Sequence, residues 1–214
     1  MDAVRSTFHN LPPEKQERVL EAALGEFSDK GYQQASVNTM VSASGISKGS
    51  IYQYFKDKKS LFLFIFDFAI SMVRRTLLSV KEDTRQEDFF VRLEKSLMAG
   101  VDFIQRHPRV YGLYLKILFD QHVPRRQELL QAVRQFAADY LGSLVRQGQA
   151  RGELRADLPK AAVIFLLDAL LDRFLQAVAV PSLDVTLGLD QASQDELSNR
   201  VGELVELLRR GLAA

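Results

Sequence analysis

The stretch that decides the fold is residues 35–61, ASVNTMVSASGISKGSIYQYFKDKKSL. Ser36 is a good helix N-cap, and apolar residues follow it at the spacing of one helix face as far as Gly45. Glycine readily ends a helix in the left-handed conformation, and Ser47 is a second N-cap directly after it. The stretch therefore predicts two short helices joined by a tight glycine turn, which is the helix-turn-helix arrangement.

The second of these helices has the size and the chemistry to bind DNA. It fits the major groove, which is about 12 Å wide, while the first helix crosses the backbone. No Asp or Glu occurs between Lys30 and Lys56, and residues 47–59 carry a charge of +3, from four lysines against Asp57. Because DNA is a polyanion, an acid-free surface with added lysines favours binding to it.

Outside this stretch, almost every periodic segment has the helical period, and no convincing strand pattern occurs. A first helix ends at Gly31, and a long helix begins after Asp57. Further helices are predicted over residues 86–106, 108–120, 124–149, 158–180 and 194–212. We predict an all-α protein of about nine helices, with a helix-turn-helix DNA-binding domain at residues 1–56 and a larger helical domain at residues 57–214.

Composition excludes several classes of protein. The 214 residues include no cysteine, which excludes disulfides, cysteine-ligated metal centres and thiol nucleophiles. The net charge is only +1, so any basic surface must be local. Residues 1–16 lack the apolar segment of a secretory signal, and the longest apolar runs, 61–70 and 161–171, are shorter than the roughly 20 residues that span a bilayer. We expect a soluble cytoplasmic protein without a metal or cofactor.

Residues 15–61 resemble the DNA-binding domain of the TetR family of bacterial one-component transcription regulators. The resemblance rests on the Gly-Ile-Ser-Lys-Gly turn at 45–49, the Tyr-x-Tyr-Phe segment at 52–55 and the Lys-x-x-Leu segment at 58–61. The family usually has an aliphatic residue followed by Ala where this chain has Met40-Val41, and Ala where it has Ser44. These differences change only the packing.

The resemblance implies a role for each residue of the matching segments. Ser36, Tyr52 and Lys58 are expected to bind phosphates, with the helix dipole assisting Ser36. The residues expected to face the major groove are Lys48, Gly49, Ser50, Gln53 and Tyr54, with Asn38 and Ser47 as further DNA contacts. Among them, Lys48 and Gln53 are the side chains best able to distinguish bases, Lys on guanine and Gln on adenine.

The resemblance also implies an effector pocket and a dimer in the C-terminal domain. The pocket candidates for a small lipophilic effector are Phe68, Met72, Phe90, Phe103, Tyr111, Tyr114 and Phe136. A solid aromatic core is the alternative for each of them. The dimer interface candidates on the last two helices are Ala169, Leu170, Phe174, Val201, Gly202, Leu204, Val205 and Leu208. Asp168 interrupts an apolar run and needs a partner, which could be Arg173, an arginine of the other subunit or the effector.

The resulting hypothesis is a dimeric repressor on a pseudo-palindromic operator, controlled by a small molecule. The alternative is a helical ligand-binding or scaffold protein without specific DNA binding. Gly45-x-Ser47-x-Gly49 also fits the nucleophile elbow of a serine hydrolase, but that turn needs a strand before the serine, and residues 36–44 are predicted to be a capped helix. We therefore predict that the protein is not an enzyme.

Overall fold

The computed structural model describes residues 6–214 of the chain, so the first five residues of the predicted N-terminal domain lie outside it. The described residues form ten α-helices and one 3₁₀ turn at Pro181–Leu183. The helices are α1 (Ser6–His9), α2 (Pro13–Gln34), α3 (Val37–Ser44), α4 (Lys48–Tyr54), α5 (Lys58–Asp83), α6 (Phe89–Arg106), α7 (Pro108–Phe119), α8 (Arg126–Ala150), α9 (Lys160–Ala179) and α10 (Gln194–Leu212). The all-α prediction is confirmed, and the short helix α1 is an addition to it.

The N-cap serines and helix-ending glycines predicted from the sequence lie at helix ends in the structure. Gly45 has φ +67° and ends α3, and Gly31 has φ +70° near the end of α2. The Ser36 and Ser47 side chains cap α3 and α4 by accepting hydrogen bonds from backbone amides. Each of these signals lies within four residues of the helix end that it specifies, which is why the sequence alone could locate it.

The chain divides into two compact units, and the predicted domain boundary after residue 56 stays a prediction. The first unit contains residues 6–72 and 107–131, and the second contains residues 73–106 and 132–214. The physical reason is that α7 packs on α2. At this crossing Gly112 lies so close to Ser28 that a methyl group on Gly112 would collide with the Ser28 hydroxyl.

Each unit has its own hydrophobic core. In the first unit, buried aromatic side chains lie where α1, α2, α4 and the start of α5 meet, among them Phe8, Phe27, Phe55 and Phe62. In the second unit, apolar residues of α6, α8, α9 and α10 form one continuous buried cluster. None of the helices in residues 6–214 is long and apolar enough to cross a membrane.

Candidate nucleic-acid interface

Helix α4 is held in the first unit by one buried face. Ile51 and Phe55 are buried, and the Phe55 ring lies 5.2 Å from the ring of Phe8 on α1, measured between centroids. The opposite face of α4 is in solvent, where Lys48, Gly49 and Gln53 are exposed. The exposure of Lys48, Gly49 and Gln53 is consistent with the DNA contacts expected of them, which stay predictions.

The remaining residues of the α4 set are placed more individually. Tyr52 is 42% exposed, so its ring does not pack under the neighbouring helices. Tyr54 is half-buried, and its ring lies 5.9 Å from that of Phe8. The Ser47 and Ser50 hydroxyls lie 2.8 Å apart and bond to each other, and the Ser50 amide donates to Ser47 Oγ over 3.1 Å. Tyr54 is thus the member of this set that the structure turns towards the core.

Ser36 is the N-cap of α3, and both its side-chain hydroxyl and its backbone amide form hydrogen bonds. Its Oγ accepts from the Thr39 amide over 3.4 Å, which caps the helix. Its own amide donates to Oε1 of Glu26 over 2.9 Å. Asn38, in the first turn of the same helix, is exposed. Glu26 escaped the sequence analysis because it lies ten residues before Ser36, a separation that matches no local capping pattern.

Lys58 has partners within the protein. Its Nζ donates to the Gln33 carbonyl over 3.0 Å and lies 4.9 Å from the centroid of the Tyr32 ring. Burial lowers the pKa of this ammonium group below its ordinary value. The expected phosphate contact of Lys58 therefore stays a prediction, and the structure adds that Lys58 also ties α5 to the end of α2.

The electrostatic character of this surface follows from its charged residues. Lys48, Lys56 and Lys59 are exposed, and the nearest acid in the sequence is Asp57. Asp57 Oδ1 accepts from the Ser60 amide over 2.7 Å, so this carboxylate caps α5. That hydrogen bond lowers the pKa of Asp57, so Asp57 remains ionised at neutral pH. The segment between Lys30 and Lys56 contains no Asp or Glu.

The structure contradicts the nucleophile-elbow alternative for Ser47. The residues before Ser47 form helix α3 and a left-handed glycine, and no strand precedes this serine within the described residues 6–46. The Ser47 hydroxyl serves as the N-cap of α4. An elbow serine needs the strand-to-helix turn of an α/β sheet. Residues 45–49 instead form the turn between α3 and α4, so they match the elbow pattern in sequence only.

The pocket candidates are divided between the two units. In the first unit, Phe68, Met72, Tyr111 and Tyr114 are half-buried. In the second unit, Phe90 and Phe103 are buried, as the solid-core alternative predicts. The half-buried ring of Phe136 lies 5.3 Å from the Arg74 guanidinium carbon. The effector-binding role of each of these residues stays a prediction.

The interface candidates require a correction. Phe174, Val201 and Val205 are buried in the core of their own unit and present no surface to a second copy, contrary to their prediction as dimer-interface residues. Leu170, Gly202, Leu204 and Leu208 are half-buried, and Ala169 is exposed. The large apolar side chains that the two helices do expose are Phe165 at 75%, Leu166 at 45% and Leu207 at 66%. The sequence missed Phe165 and Leu166 because α9 is apolar on nearly all sides.

The partner of Asp168 also differs from each predicted one. Nη1 of Arg134 on α8 lies 3.3 Å from both carboxylate oxygens of Asp168. Nη2 of the same arginine donates to Asp172 over 2.7 Å. One arginine therefore serves two carboxylates on consecutive turns of α9. Burial raises the pKa of Asp168 despite this arginine, and the neighbouring charge of Asp172 raises it further.

Two family models match the chain. The model described as bacterial regulatory proteins, tetR family, matches residues 19–65, and the one described as tetracyclin repressor-like, C-terminal domain, matches residues 87–213. Together they cover the helix-turn-helix and most of the remaining helices.

Individual proteins are similar as well. The HTH-type transcriptional regulator YerO of Bacillus subtilis is 28% identical over 118 residues, which are 55% of this chain and 40% of YerO. The chain spans about half the length of the first curated relatives that it matches. A TetR family regulator from Chloroflexus aurantiacus has a TM-score of 0.72 at 27% identity, with 98% of both chains covered. The regulator FadR from Bacillus subtilis, solved in complex with stearoyl-CoA, has a TM-score of 0.70 at 17% identity, with 88% of this chain and 96% of FadR covered.

Proposed function

The chain belongs to the TetR family of bacterial regulatory proteins, and we propose that it is a dimeric transcriptional repressor whose two α4 helices enter the major groove of a pseudo-palindromic operator. The observation that carries the proposal is the exposed, acid-free face of α4. Lys48, Gly49 and Gln53 are exposed to solvent there, while Ile51 and Phe55 are buried and anchor the helix to the first unit. Lysine and glutamine can each form two hydrogen bonds to a base edge.

A dimer follows from the small size of this face. One helix of seven residues contacts too few bases to select a site in a genome, and two-fold pairing places two such helices about one turn of DNA apart. The exposed apolar side chains of α9 and α10, Phe165, Leu166 and Leu207, support an interface between copies of the chain. A two-fold interface uses the same patch on both subunits.

The proposed effector is a small lipophilic molecule held in the helical part of the chain. FadR from Bacillus subtilis, which shares this fold, was solved with stearoyl-CoA, whose acyl chain is lipophilic. The half-buried aromatic residues Phe68 and Tyr111 of the first unit, and independently Phe136 of the second unit, are the first positions to test by substitution. The effector acts by population shift: it must prefer the arrangement of the two α4 helices that does not fit the operator.

The experiment for DNA binding is selection of the full chain against a random duplex library, with Gly49→Asp as the matched control. A side chain at position 49 meets only the Ser47 hydroxyl, at 3.8 Å from its Cβ, so the variant is expected to fold. An aspartate near the start of a helix is itself favourable. We expect a pseudo-palindromic consensus for the wild type and none for the variant. No enrichment by folded wild-type protein would favour a ligand-binding or scaffold protein.

The dimer is tested by sedimentation of Phe165→Asp, with Val185→Asp as the control. Both substitutions place a charge on an exposed apolar residue, but Val185 lies in the loop between α9 and α10. Burying an unpaired charge in an interface costs several kcal/mol, which lowers the association constant roughly a thousandfold. We expect Phe165→Asp to sediment as a monomer and Val185→Asp as a dimer. A dimeric Phe165→Asp protein would place the interface elsewhere.

A further inference from the structure

Glu26 forms a hydrogen bond that closes the cap of α3 from another helix. In a capping box, the N-cap side chain accepts from the amide three residues on, and an acid at that third residue accepts from the N-cap amide. In α10 of this chain, Ser193 and Glu196 complete such a box locally. At the start of α3 the third residue is Thr39, which has no carboxylate.

Glu26 on α2 supplies the missing acceptor. Its Oε1 lies 2.9 Å from the Ser36 amide, which donates to it, while Ser36 Oγ accepts from Thr39. Both hydrogen bonds of a capping box are therefore present at α3, with the second one made across ten residues of chain. The direction in which α3 leaves α2 is consequently set by a side chain of α2.

This carboxylate is buried and charged. Glu26 is 8% exposed, and the ammonium group of Lys30 donates to the same Oε1 over 2.9 Å. Burial by itself raises the pKa of Glu26, but the hydrogen bonds from Lys30 and from the Ser36 amide outweigh it, and the charge of Lys58 adds to them. The pKa of Glu26 therefore lies below its ordinary value. Glu26 accepts the Ser36 bond as a carboxylate, which makes the bond stronger than one between neutral groups.

The helix-turn-helix depends on tertiary contacts for its position. Helices α3 and α4 have eight and seven residues, and helices this short are not stable in water alone. Helix α3 packs on α2 and on α4, so the position of α4 on the first unit is determined in part through α3. The bond from Glu26 to Ser36 lies at the first residue of this pair of helices.

We propose that Glu26 is a positioning residue for operator binding, which fixes the start of α3 and through it the docking of α4 in the major groove. The proposal rests on the proposed DNA-binding function. Glu26 is buried beneath the helix-turn-helix and touches no DNA itself. It acts on the phosphate contact expected of Ser36 and on the base contacts expected of α4.

The test compares Glu26→Gln with Glu26→Met. Both variants are neutral and keep the length of the side chain, but only glutamine can accept a hydrogen bond from the Ser36 amide. The probe is the duplex consensus selected by the wild-type chain, with a scrambled duplex alongside it. We expect Glu26→Met to bind the consensus about tenfold more weakly than Glu26→Gln, because the partly buried Ser36 amide is left without an acceptor. The dependence of affinity on salt should be the same in both, since no lysine or arginine contact to a phosphate is removed.

Two further readouts separate positioning from stability alone. The Ser36 amide should exchange with solvent at least tenfold faster in Glu26→Met than in Glu26→Gln. Both variants should be folded at the temperature of the binding assay, as judged by circular dichroism. If Glu26→Met does not fold, Glu26→Asp takes its place, since its carboxylate is one methylene too short to reach Ser36.

Folded Glu26→Met that binds the consensus as tightly as Glu26→Gln would overturn the proposal while leaving the DNA-binding function intact. A wild-type chain that selects no consensus would overturn both. If Glu26→Asp is the variant in use, binding equal to that of Glu26→Gln contradicts the proposal in the same way.

Discussion

The ammonium group of Lys58 donates a hydrogen bond to the backbone carbonyl of Gln33 over 3.0 Å, joining the first residue of α5 to the end of α2. The same group lies over the Tyr32 ring at 4.9 Å. A lysine at this position of the motif thus contributes to the fold of the first unit as well as to any contact with DNA.

We predict that Lys58→Ala destabilises the chain by about 1 kcal/mol, the usual worth of one hydrogen bond to a charged donor at a partly exposed site together with a cation–π contact. It should also weaken binding to all DNA sequences alike. Urea unfolding and duplex titration measure the two effects. Lys59→Ala is the control, since Lys59 is exposed on the same turn. Unchanged unfolding of Lys58→Ala would show that its bond to Gln33 carries no stability.

Gln53→Ala is predicted to change specificity and not stability. Gln53 is exposed on α4, and a glutamine that pairs with adenine contributes about 1–3 kcal/mol of discrimination. We expect the selected consensus to lose its preference at one base position in each half-site. Repeating the selection with Gln53→Ala and with Lys56→Ala measures this effect, and only the former should alter the consensus. If Gln53→Ala weakened binding to all duplexes equally, Gln53 would contact the DNA backbone and not a base.

Asp168→Asn is predicted to leave the second unit as stable or slightly more stable at neutral pH. Burial and the charge of Asp172 raise the pKa of Asp168, so its ionised form is less favourable in the folded chain than in the unfolded chain. That cost is present above the folded pKa and disappears as the pH falls through it. The advantage of Asp168→Asn should therefore shrink on acidification, which unfolding at a series of pH values will show.

Asp172→Asn is the matched comparison for Asp168→Asn. Asp172 makes the shorter bond to Arg134, at 2.7 Å, and Gln176 donates to it over 2.9 Å. We expect this variant to be destabilised at neutral pH, by about 1 kcal/mol for one charged hydrogen bond weakened at a partly exposed site. Equal effects of the two substitutions would contradict the unequal roles that the distances assign to these aspartates.

Gly202→Ala is predicted to act on association. Nothing lies within 4 Å of a methyl group placed on Gly202, and alanine is about 1 kcal/mol better than glycine inside a helix. If α10 packs closely on a second copy, the same methyl group must overpack the interface, by about 1–3 kcal/mol. We expect the dissociation constant of the dimer to rise about tenfold in Gly202→Ala and to stay unchanged in Gly211→Ala. An unchanged Gly202→Ala dimer would exclude position 202 from the interface.

The sequence was sufficient wherever a feature depends on neighbouring residues. The caps at Ser36 and Ser47 and the left-handed Gly45 were predictable, because each acts on an amide or a backbone angle close by. The anchoring of α4 by Ile51 and Phe55 was predictable from their one-turn spacing.

Features that depend on tertiary packing were not predictable. Arg134 pairs with Asp168 across 34 residues, and Glu26 caps α3 from the preceding helix. On α9 the period of apolar residues could not distinguish buried Phe174 from exposed Phe165, because the helix is apolar nearly all round. The packing of α7 on α2, which places α7 in the first unit, likewise has no local signal in the sequence.

The central claim is that α4 binds DNA with sequence preference, and the most direct test is titration of the wild-type chain with its selected consensus and with a scrambled duplex over a range of salt concentrations. We predict at least about a thousandfold preference for the consensus at physiological salt. Affinity should also fall by about 10³–10⁵ between 50 and 200 mM salt, as for a protein that contacts 6–10 phosphates. Equal affinity for the two duplexes, or affinity that does not change with salt, would contradict the account.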